Sequence, residues 1–210
     1  TLNFGINNKL GSVKTSEENK LLDDIKAYKK SGTTVMVHAG LATPFRGWKY
    51  ATSLVGNINN QNIILYLLLY ADSDEGISEI DINLAKKIAK NSNNKIILVT
   101  EPVINIDKIL SYVDIAIYQY RYIGDIPECP LTINELQNQG VIVFSNRLGG
   151  LSDMIPSEIP ILSGDMNQDL KTLCAIINDL VSFKVLLKNN VEPYSWPDAA
   201  QKYLDDLTAK

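Results

Sequence analysis

Glu128-Cys129-Pro130-Leu131-Thr132-Ile133-Asn134-Glu135, running on through Gly140-Val141-Ile142-Val143-Phe144-Ser145 to Gly149-Gly150, holds a loop, a helix, a strand and a glycine turn in succession. The spacing of apolar and polar residues predicts a short helix over 132–138, ended by Gly140, and the unbroken apolar run that follows predicts a strand over 141–145 buried on both faces. A helix that feeds directly into a fully buried strand is the repeating unit of a parallel α/β sheet. The loop entering the helix carries chemistry of its own. First-turn N–H groups have no intrahelical partner, and the helix dipole favours an anion beside them. Leu131 and Thr132 fall where those amides lie, Glu135 stands on the turn facing the same ligand, and Glu128 precedes the helix in the loop. Thr132-x-x-Glu135 also fits a capping box, in which hydroxyl and carboxylate satisfy the helix-terminal N–H groups. For Thr132 the cap and the ligand readings stand side by side; for Glu135 the run that follows favours the ligand.

Working outward, the same alternation continues. Residues 33–38, 62–70, 95–100, 114–118 and 141–145 read as strands, and 46–56, 78–91, 106–112 and 132–138 as surface helices between them. Each connection can then be a right-handed crossover in one parallel sheet. Ile63-Ile64-Leu65-Tyr66-Leu67-Leu68-Leu69 is apolar throughout, as a central strand covered on both faces requires. Ahead of this, residues 1–32 form a lead-in segment with a charged helix over 16–30 that stops at Ser31-Gly32. The main domain is expected over 33–210. It finishes with a helix over 170–187, then Tyr194-Ser195-Trp196 and a last helix entered through Pro197, a residue tolerated in a helix's first turn.

The chain has 210 residues, 45% of them hydrophobic, which suits one domain with a full core. Its formal charge of −4 and lack of a basic block argue against nucleic acid or an anionic membrane surface as the main partner. Apolar runs are strand-sized, too short for a transmembrane segment, and no secretory signal pattern is visible. Cys129 and Cys174 lie far apart in different contexts and read as reduced thiols. A single histidine, His38, excludes most zinc sites and leaves little room for a Ser-His-Asp triad.

A second constellation lies in His38-Ala39-Gly40-Leu41-Ala42-Thr43-Pro44-Phe45-Arg46-Gly47, the end of the first strand and the loop into the first helix. Open parallel sheets bind ligands at this edge. Arg46 offers a planar, permanently charged fork suited to phosphate oxygens. Taken alone, Arg46 reads as a solvated loop residue, His38 as a strand-end histidine satisfied by backbone, Gly149-Gly150 as a tight turn, and Trp48 and Trp196 as packing residues.

The two constellations together resemble the C-terminal, donor-binding domain of GT-B fold retaining glycosyltransferases, the group 1 or family 4-like enzymes. The resemblance spans 33–207. In that family a glutamate, a Gly/Pro-Leu-Thr turn and a second glutamate precede a small helix and a glycine pair, and a glycine after the first strand is followed by a basic residue and glycine at the helix start. Glu128, Leu131-Thr132, Glu135 and Gly149-Gly150 fit the first pattern; Gly40 and Arg46-Gly47 fit the second. Two departures stand out. Cys129-Pro130 replaces a three-residue element, so the glutamates are one residue closer than usual, and Leu41 stands where many members carry arginine. Lys49 or Arg121 could supply the missing phosphate contact. A second branch of the family uses a Tyr-Arg and glycine turn before this helix, and Tyr120-Arg121-Tyr122-Ile123-Gly124 could serve instead of Glu128.

The resemblance implies an α/β, Rossmann-like parallel sheet with helices on both faces, forming one half of the enzyme. It implies transfer of a sugar from a nucleoside diphosphate, UDP by default, to a hydroxyl of an acceptor glycan or lipid-linked glycan, with no metal or other cofactor. Arg46 and Glu128 would be the catalytic residues. Gly40, Arg46, Leu131, Thr132, Glu135, Gly149 and Gly150 would bind the donor. Polysaccharide biosynthesis in the cytoplasm is implied, the full-length protein being peripheral at the membrane. The acceptor-binding domain is absent from the sequence, and a start at Thr1 suggests a piece of a longer chain. Two other classes stay open: a non-catalytic glycosyltransferase-like subunit or scaffold, and an epimerase or dinucleotide-dependent enzyme. The closely spaced glycine fingerprint of the latter is missing after the first strand.

Overall fold

A computed structural model describes residues 15–42, 46–59, 62–70, 79–93, 95–101, 103, 105–121, 131–149 and 151–190. The strands are β1 (Thr34–Leu41), β2 (Ile63–Tyr70), β3 (Ile96–Val99), β4 (Ile115–Tyr118) and β5 (Ile142–Ser145). They form one five-stranded sheet in the order β3-β2-β1-β4-β5, and every pairing is parallel. The helices are α1 (Thr15–Lys30), α2 (Trp48–Gly56), α3 (Glu79–Asn91), α4 (Ile106–Leu110), α5 (Leu131–Asn138), α6 (Leu151–Met154), α7 (Met166–Asn178) and α8 (Leu180–Asn190). Right-handed crossovers put α2 and α3 on one face and α4 and α5 on the other, because the chain runs outward from β1 to β3 and then returns beyond β1 to β4. The predicted α/β class and Rossmann-like sheet are what the structure shows.

The apolar runs become the centre of the sheet. Val35, Met36 and Val37 of β1, Leu65 and Leu67 of β2, Ile115, Ala116 and Ile117 of β4 and Ile142 and Phe144 of β5 are fully buried, as strands covered by helices on both faces demand. β3 is half-covered: Ile97, Leu98 and Val99 keep partial exposure on an edge strand paired only with β2.

One expected helix is two. The periodicity over 170–187 belongs to α7 and α8, which break at Asp179, where φ is −131° and ψ is 43°. Asp165 caps α7 by accepting the Gln168 N–H at 2.9 Å, which sets the start earlier than expected. The break re-aims α8 so that Leu187 is buried and Lys184 reaches the sheet. What it reaches is Asp114, immediately before β4. This carboxylate accepts Lys29 Nζ of α1 at 2.6 Å, Lys184 Nζ of α8 at 2.7 Å and the Val35 N–H of β1 at 2.9 Å. Both flanking helices are thus tied to the N-terminal edge of the two central strands. Burial opposes ionisation of Asp114, but the hydrogen bonds from Lys184, Lys29 and Val35 outweigh it and hold the carboxyl below its ordinary value.

Replacing Asp114 with alanine is expected to lower unfolding free energy by about 2–3 kcal/mol at neutral pH, below the ~3–5 kcal/mol of a fully buried pair because both lysine heads keep contact with water. A carboxylate with a depressed folded pKa stabilises above its unfolded value and loses that stabilisation as pH falls through the folded one. Urea titrations should therefore show the gap between wild type and Asp114→Ala closing below about pH 4.

Candidate functional site

The reversal of strand order leaves a crevice between the C-terminal ends of β1 and β4. Their pairing is registered at Met36 with Ile115 and Val37 with Ala116, and beyond it side chains take over from the ladder. The Tyr118 hydroxyl donates to the Ala39 carbonyl at 3.0 Å and accepts the Ala39 N–H at 3.2 Å. His38 Nδ1 lies 2.8 Å from the Ile117 carbonyl. A carbonyl only accepts, so Nδ1 carries the proton and Nε2, buried and without a hydrogen-bond partner, is the bare nitrogen. Burial lowers the His38 pKa to about 4, against the backbone hydrogen bond to Ile117, with the Arg46 charge adding to the lowering. His38 is therefore neutral near pH 7 and donates to the backbone of β4. Tyr120 stacks on Tyr118 with centroids 5.8 Å apart, and burial pushes its pKa up to about 12.

Arg46 lies across this floor. A Cβ on Gly40 would meet Arg46 Nη1 at 3.4 Å and Cδ at 3.7 Å, and Gly40 itself has φ of 148°. The guanidinium thus lies at the end of β1, in ordinary contact distance of where a Gly40 side chain would begin. Its charge is felt by His38, Tyr118 and Tyr120. Among the described residues no carboxylate or carbonyl is bonded to Arg46. Gly47, with φ of 78° and ψ of 15°, stands at the N-cap of α2. A Cβ there would fall 2.3 Å from the Gln119 carbonyl oxygen, so the start of α2 is pressed onto the backbone that leaves β4. The Arg-Gly pair is thus one device: the glycine permits the approach and the arginine occupies the crevice.

On the β4 side, α5 begins at Leu131. Thr132 is inside the helix and not ahead of it, so it does not stand at the N-cap position that the capping box requires. Glu135 is half-buried; burial and the nearby Asp107 hold its carboxyl above the ordinary glutamate value. Tyr118 feels the charges of both predicted ligands, Arg46 and Glu135. Glu128, Gly150 and the turn from Tyr122 to Gly124 lie outside the described residues. Gly149 is exposed with φ of 59° and open space around it.

Of the two substitutes for the phosphate contact, Lys49 is engaged elsewhere, bound to Asp81 of α3 at 2.7 Å and lying over the Trp48 ring. Arg121, just past β4, is exposed. Among the described residues no group of three acidic, histidine or cysteine side chains could hold a metal ion, and no helix is long and apolar enough to cross a membrane. A groove between α1 and β3, the lateral edge strand, is lined by Glu17, Glu18, Leu21, Val99 and Glu101 among others.

Sequence reasoning missed three residues here. Asn146 grips the backbone of Tyr120 from the end of β5, its carbonyl oxygen accepting the Tyr120 N–H at 2.9 Å and its amide donating to the Tyr120 carbonyl at 2.7 Å. Tyr50 of α2 donates to Asp169 of α7, which also accepts Ser163 N–H and Oγ at 2.8 Å and Gly164 N–H at 3.0 Å. The polar Asn146 directly after an apolar strand was the available signal; Tyr50 and Asp169 gave none.

No protein-family model matches the chain, and no curated protein matches it by sequence. Solved structures do match in fold. The N-terminal domain of Candida albicans trehalose-6-phosphate phosphatase superposes with a TM-score of 0.67 at 12% identity, covering 93% of this chain and 46% of that one. The catalytic domain of Arabidopsis thaliana starch synthase IV, bound to ADP and acarbose, gives 0.63 at 14% identity, covering 90% and 42%. Anabaena HepE, in complex with UDP and glucose, gives 0.57 at 13% identity, covering 90% and 53%. The chain spans about half the length of these structures.

Two outcomes follow from the crevice. Gly47→Ala should destabilise the fold by about 2–5 kcal/mol, combining the left-handed backbone cost with overpacking against Gln119. Gly149→Ala, which meets nothing, should cost only about 1–2 kcal/mol; urea midpoints compare the two. For His38, the unfolded chain binds the proton more readily, so stability falls as pH drops from its ordinary value towards the folded one. The wild type should lose roughly 2 kcal/mol relative to His38→Gln between pH 7 and pH 5, read from denaturation at each pH.

Proposed function

We propose that this chain, whose fold is that of a GT-B glycosyltransferase C-terminal-like domain, binds the nucleotide-sugar donor of a retaining glycosyltransferase. The observation that carries the reading is the Arg46 guanidinium, laid across Gly40 at the point where strand order reverses and bonded to no anion among the described residues. Ligands of open α/β sheets bind at such a switch point, and a half-buried arginine with no counter-charge among the described residues suits an anion. Arg46 and the first-turn amides of α5 would hold the diphosphate from two sides. Glu135, its carboxyl half-buried beside them, would accept from the ribose hydroxyls. Leu131 contributes by backbone alone.

In the transfer step the acceptor oxygen bonds to the anomeric carbon as the bond from that carbon to the diphosphate oxygen breaks, and the acceptor proton passes to the departing phosphate. Attack from the side the diphosphate leaves retains configuration. The protein's part is electrostatic: Arg46 and the α5 amides stabilise charge as it accumulates on the leaving group, without needing to reorganise. Glu128 as the group that positions the sugar, and Gly149-Gly150 as a close backbone approach, rest on the motif alone. UDP is the favoured nucleotide, since HepE was solved with UDP, although starch synthase IV was solved with ADP. The acceptor, a glycan or lipid-linked glycan, would be met by a separate domain in the cytoplasm or at a membrane surface.

The engagement of Lys49 with Asp81 favours a second reading. With Leu41 in place of the second arginine, the diphosphate site has one strong cation fewer, as a non-catalytic subunit or scaffold would tolerate. Calorimetric titration with UDP, GDP and ADP separates the two. A donor domain should bind one nucleotide saturably, and Arg46→Ala and Glu135→Ala should each weaken it by roughly 10–100-fold, the worth of one charge-assisted hydrogen bond. No binding by the folded chain would favour the scaffold, and efficient transfer by the isolated chain would overturn the assignment as half an enzyme.

A further inference from the structure

Arg46 owes its place to the start of α2, and the start of α2 is held by a closed ring of contacts. Gly47 presses on the Gln119 backbone, where a Cβ would fall 2.3 Å from the carbonyl oxygen. The Gln119 side chain turns to the loop after β5, its Nε2 lying 3.7 Å from where a Cβ on Gly164 would be. Gly164 donates its N–H to Asp169 at 3.0 Å, beside the two bonds from Ser163. Asp169, fully buried at the start of α7, accepts the hydroxyl of Tyr50. Tyr50 lies in α2, four residues after Arg46, and completes the circuit. The loop after β5 is itself fixed to the sheet, because Leu162 donates its N–H to the Ser145 carbonyl at 3.1 Å.

We propose that Tyr50 and Asp169 are positioning residues for Arg46, holding the first turn of α2 at the depth where the guanidinium crosses Gly40 and faces an anionic ligand. The inference rests on the donor-binding reading for the identity of that ligand, but the tether itself is independent of it. Two observations set this pair apart from ordinary packing. Asp169 is a buried carboxylate that spends all its bonds on the loop after β5 and on Tyr50. α2 lacks a side-chain cap, its N-cap being Gly47 in a left-handed conformation, so the helix cannot fix its own start by the usual Ser, Thr, Asp or Asn device. The phenol is also suited to the task. Burial, the hydrogen bond to Asp169 and the Asp169 charge all favour its protonated, hydrogen-bond-donating form.

The test compares wild type, Tyr50→Phe and Arg46→Ala in affinity for the bound nucleoside diphosphate and for its parent nucleoside. Tyr50→Phe removes one hydroxyl and keeps the ring, so folding is checked by its melting curve alone. The expected result is about a tenfold loss of diphosphate affinity with nucleoside affinity unchanged, since each ~1.4 kcal/mol is a factor of ten and only the phosphate end depends on Arg46. Tyr50→Phe added to Arg46→Ala should cost nothing further, because both act through one guanidinium. A general loosening would instead weaken nucleoside and diphosphate alike, or add to Arg46→Ala, and either result overturns the proposal. Asp169→Asn, which keeps the shape of the side chain, should reproduce the same split if it folds. If wild type binds no nucleotide, the donor reading fails on its own, and the tether is decided by Arg46 Nε–H exchange with water measured by NMR. Faster exchange in Tyr50→Phe than in wild type upholds the positioning role; equal exchange overturns it.

Discussion

Beyond Val37 and Ala116, β1 and β4 must part, because the chain leaves β1 in one direction along the sheet and returns to β4 on its other side. Backbone groups exposed by that parting would each cost a hydrogen bond in a buried setting. The structure meets this constraint with side chains. Tyr118 answers both backbone groups of Ala39 with a single hydroxyl, and His38 donates to the Ile117 carbonyl. The crevice floor is therefore aromatic, neutral and buried, and the charge of Arg46 lies over it. Low polarity below an arginine strengthens its pull on an anion above, since less solvent screens the interaction.

The opposite edge of the same two strands carries the opposite solution. There the ladder closes on a buried carboxylate, Asp114, with two lysines and a backbone N–H around it. Asp114 ties the outer helices α1 and α8 to the sheet, and its charge is satisfied inside the protein. Arg46, at the other edge, is bonded to no carboxylate among the described residues. The distribution follows from topology: the N-terminal edge has no diverging loops to make a cleft, and the C-terminal edge has them at β1 and β4. Fold similarity to solved glycosyltransferase domains at low identity gives the architecture; the reading of function comes from these particular side chains.

Much of the fold was legible because burial leaves a strong trace. Ile63-Ile64-Leu65-Tyr66-Leu67-Leu68-Leu69 can only be a covered strand, and Val141-Ile142-Val143-Phe144 behind Gly140 repeats the lesson. Outside 170–187, boundaries moved by one to three residues, the largest shift being the end of β1, expected at His38 and found at Leu41, as helix ends fray and strands extend. The single helix expected over 170–187 was wrong because periodicity records which face is apolar, and α7 and α8 both bury a face while differing in direction. The break at Asp179 is a tertiary decision, taken so that Lys184 can meet Asp114.

The candidate site divides in the same manner. Sequence by itself determined that a glycine ends the first strand, that an arginine and a glycine open the following helix, and that a helix bearing Glu135 precedes the last strand, because each of these is a local requirement of a turn or a helix end. Only the tertiary structure decided that Arg46 lies against Gly40, that Gly47 touches Gln119, that Thr132 is not a cap, and that Lys49 is spent on Asp81. Those facts join residues tens of positions apart, and one chain's order carries no record of which distant side chains meet. Tyr50 and Asp169, 119 residues apart, are the extreme case: each is unremarked in its own neighbourhood and acquires a role only when α2 and α7 are packed together.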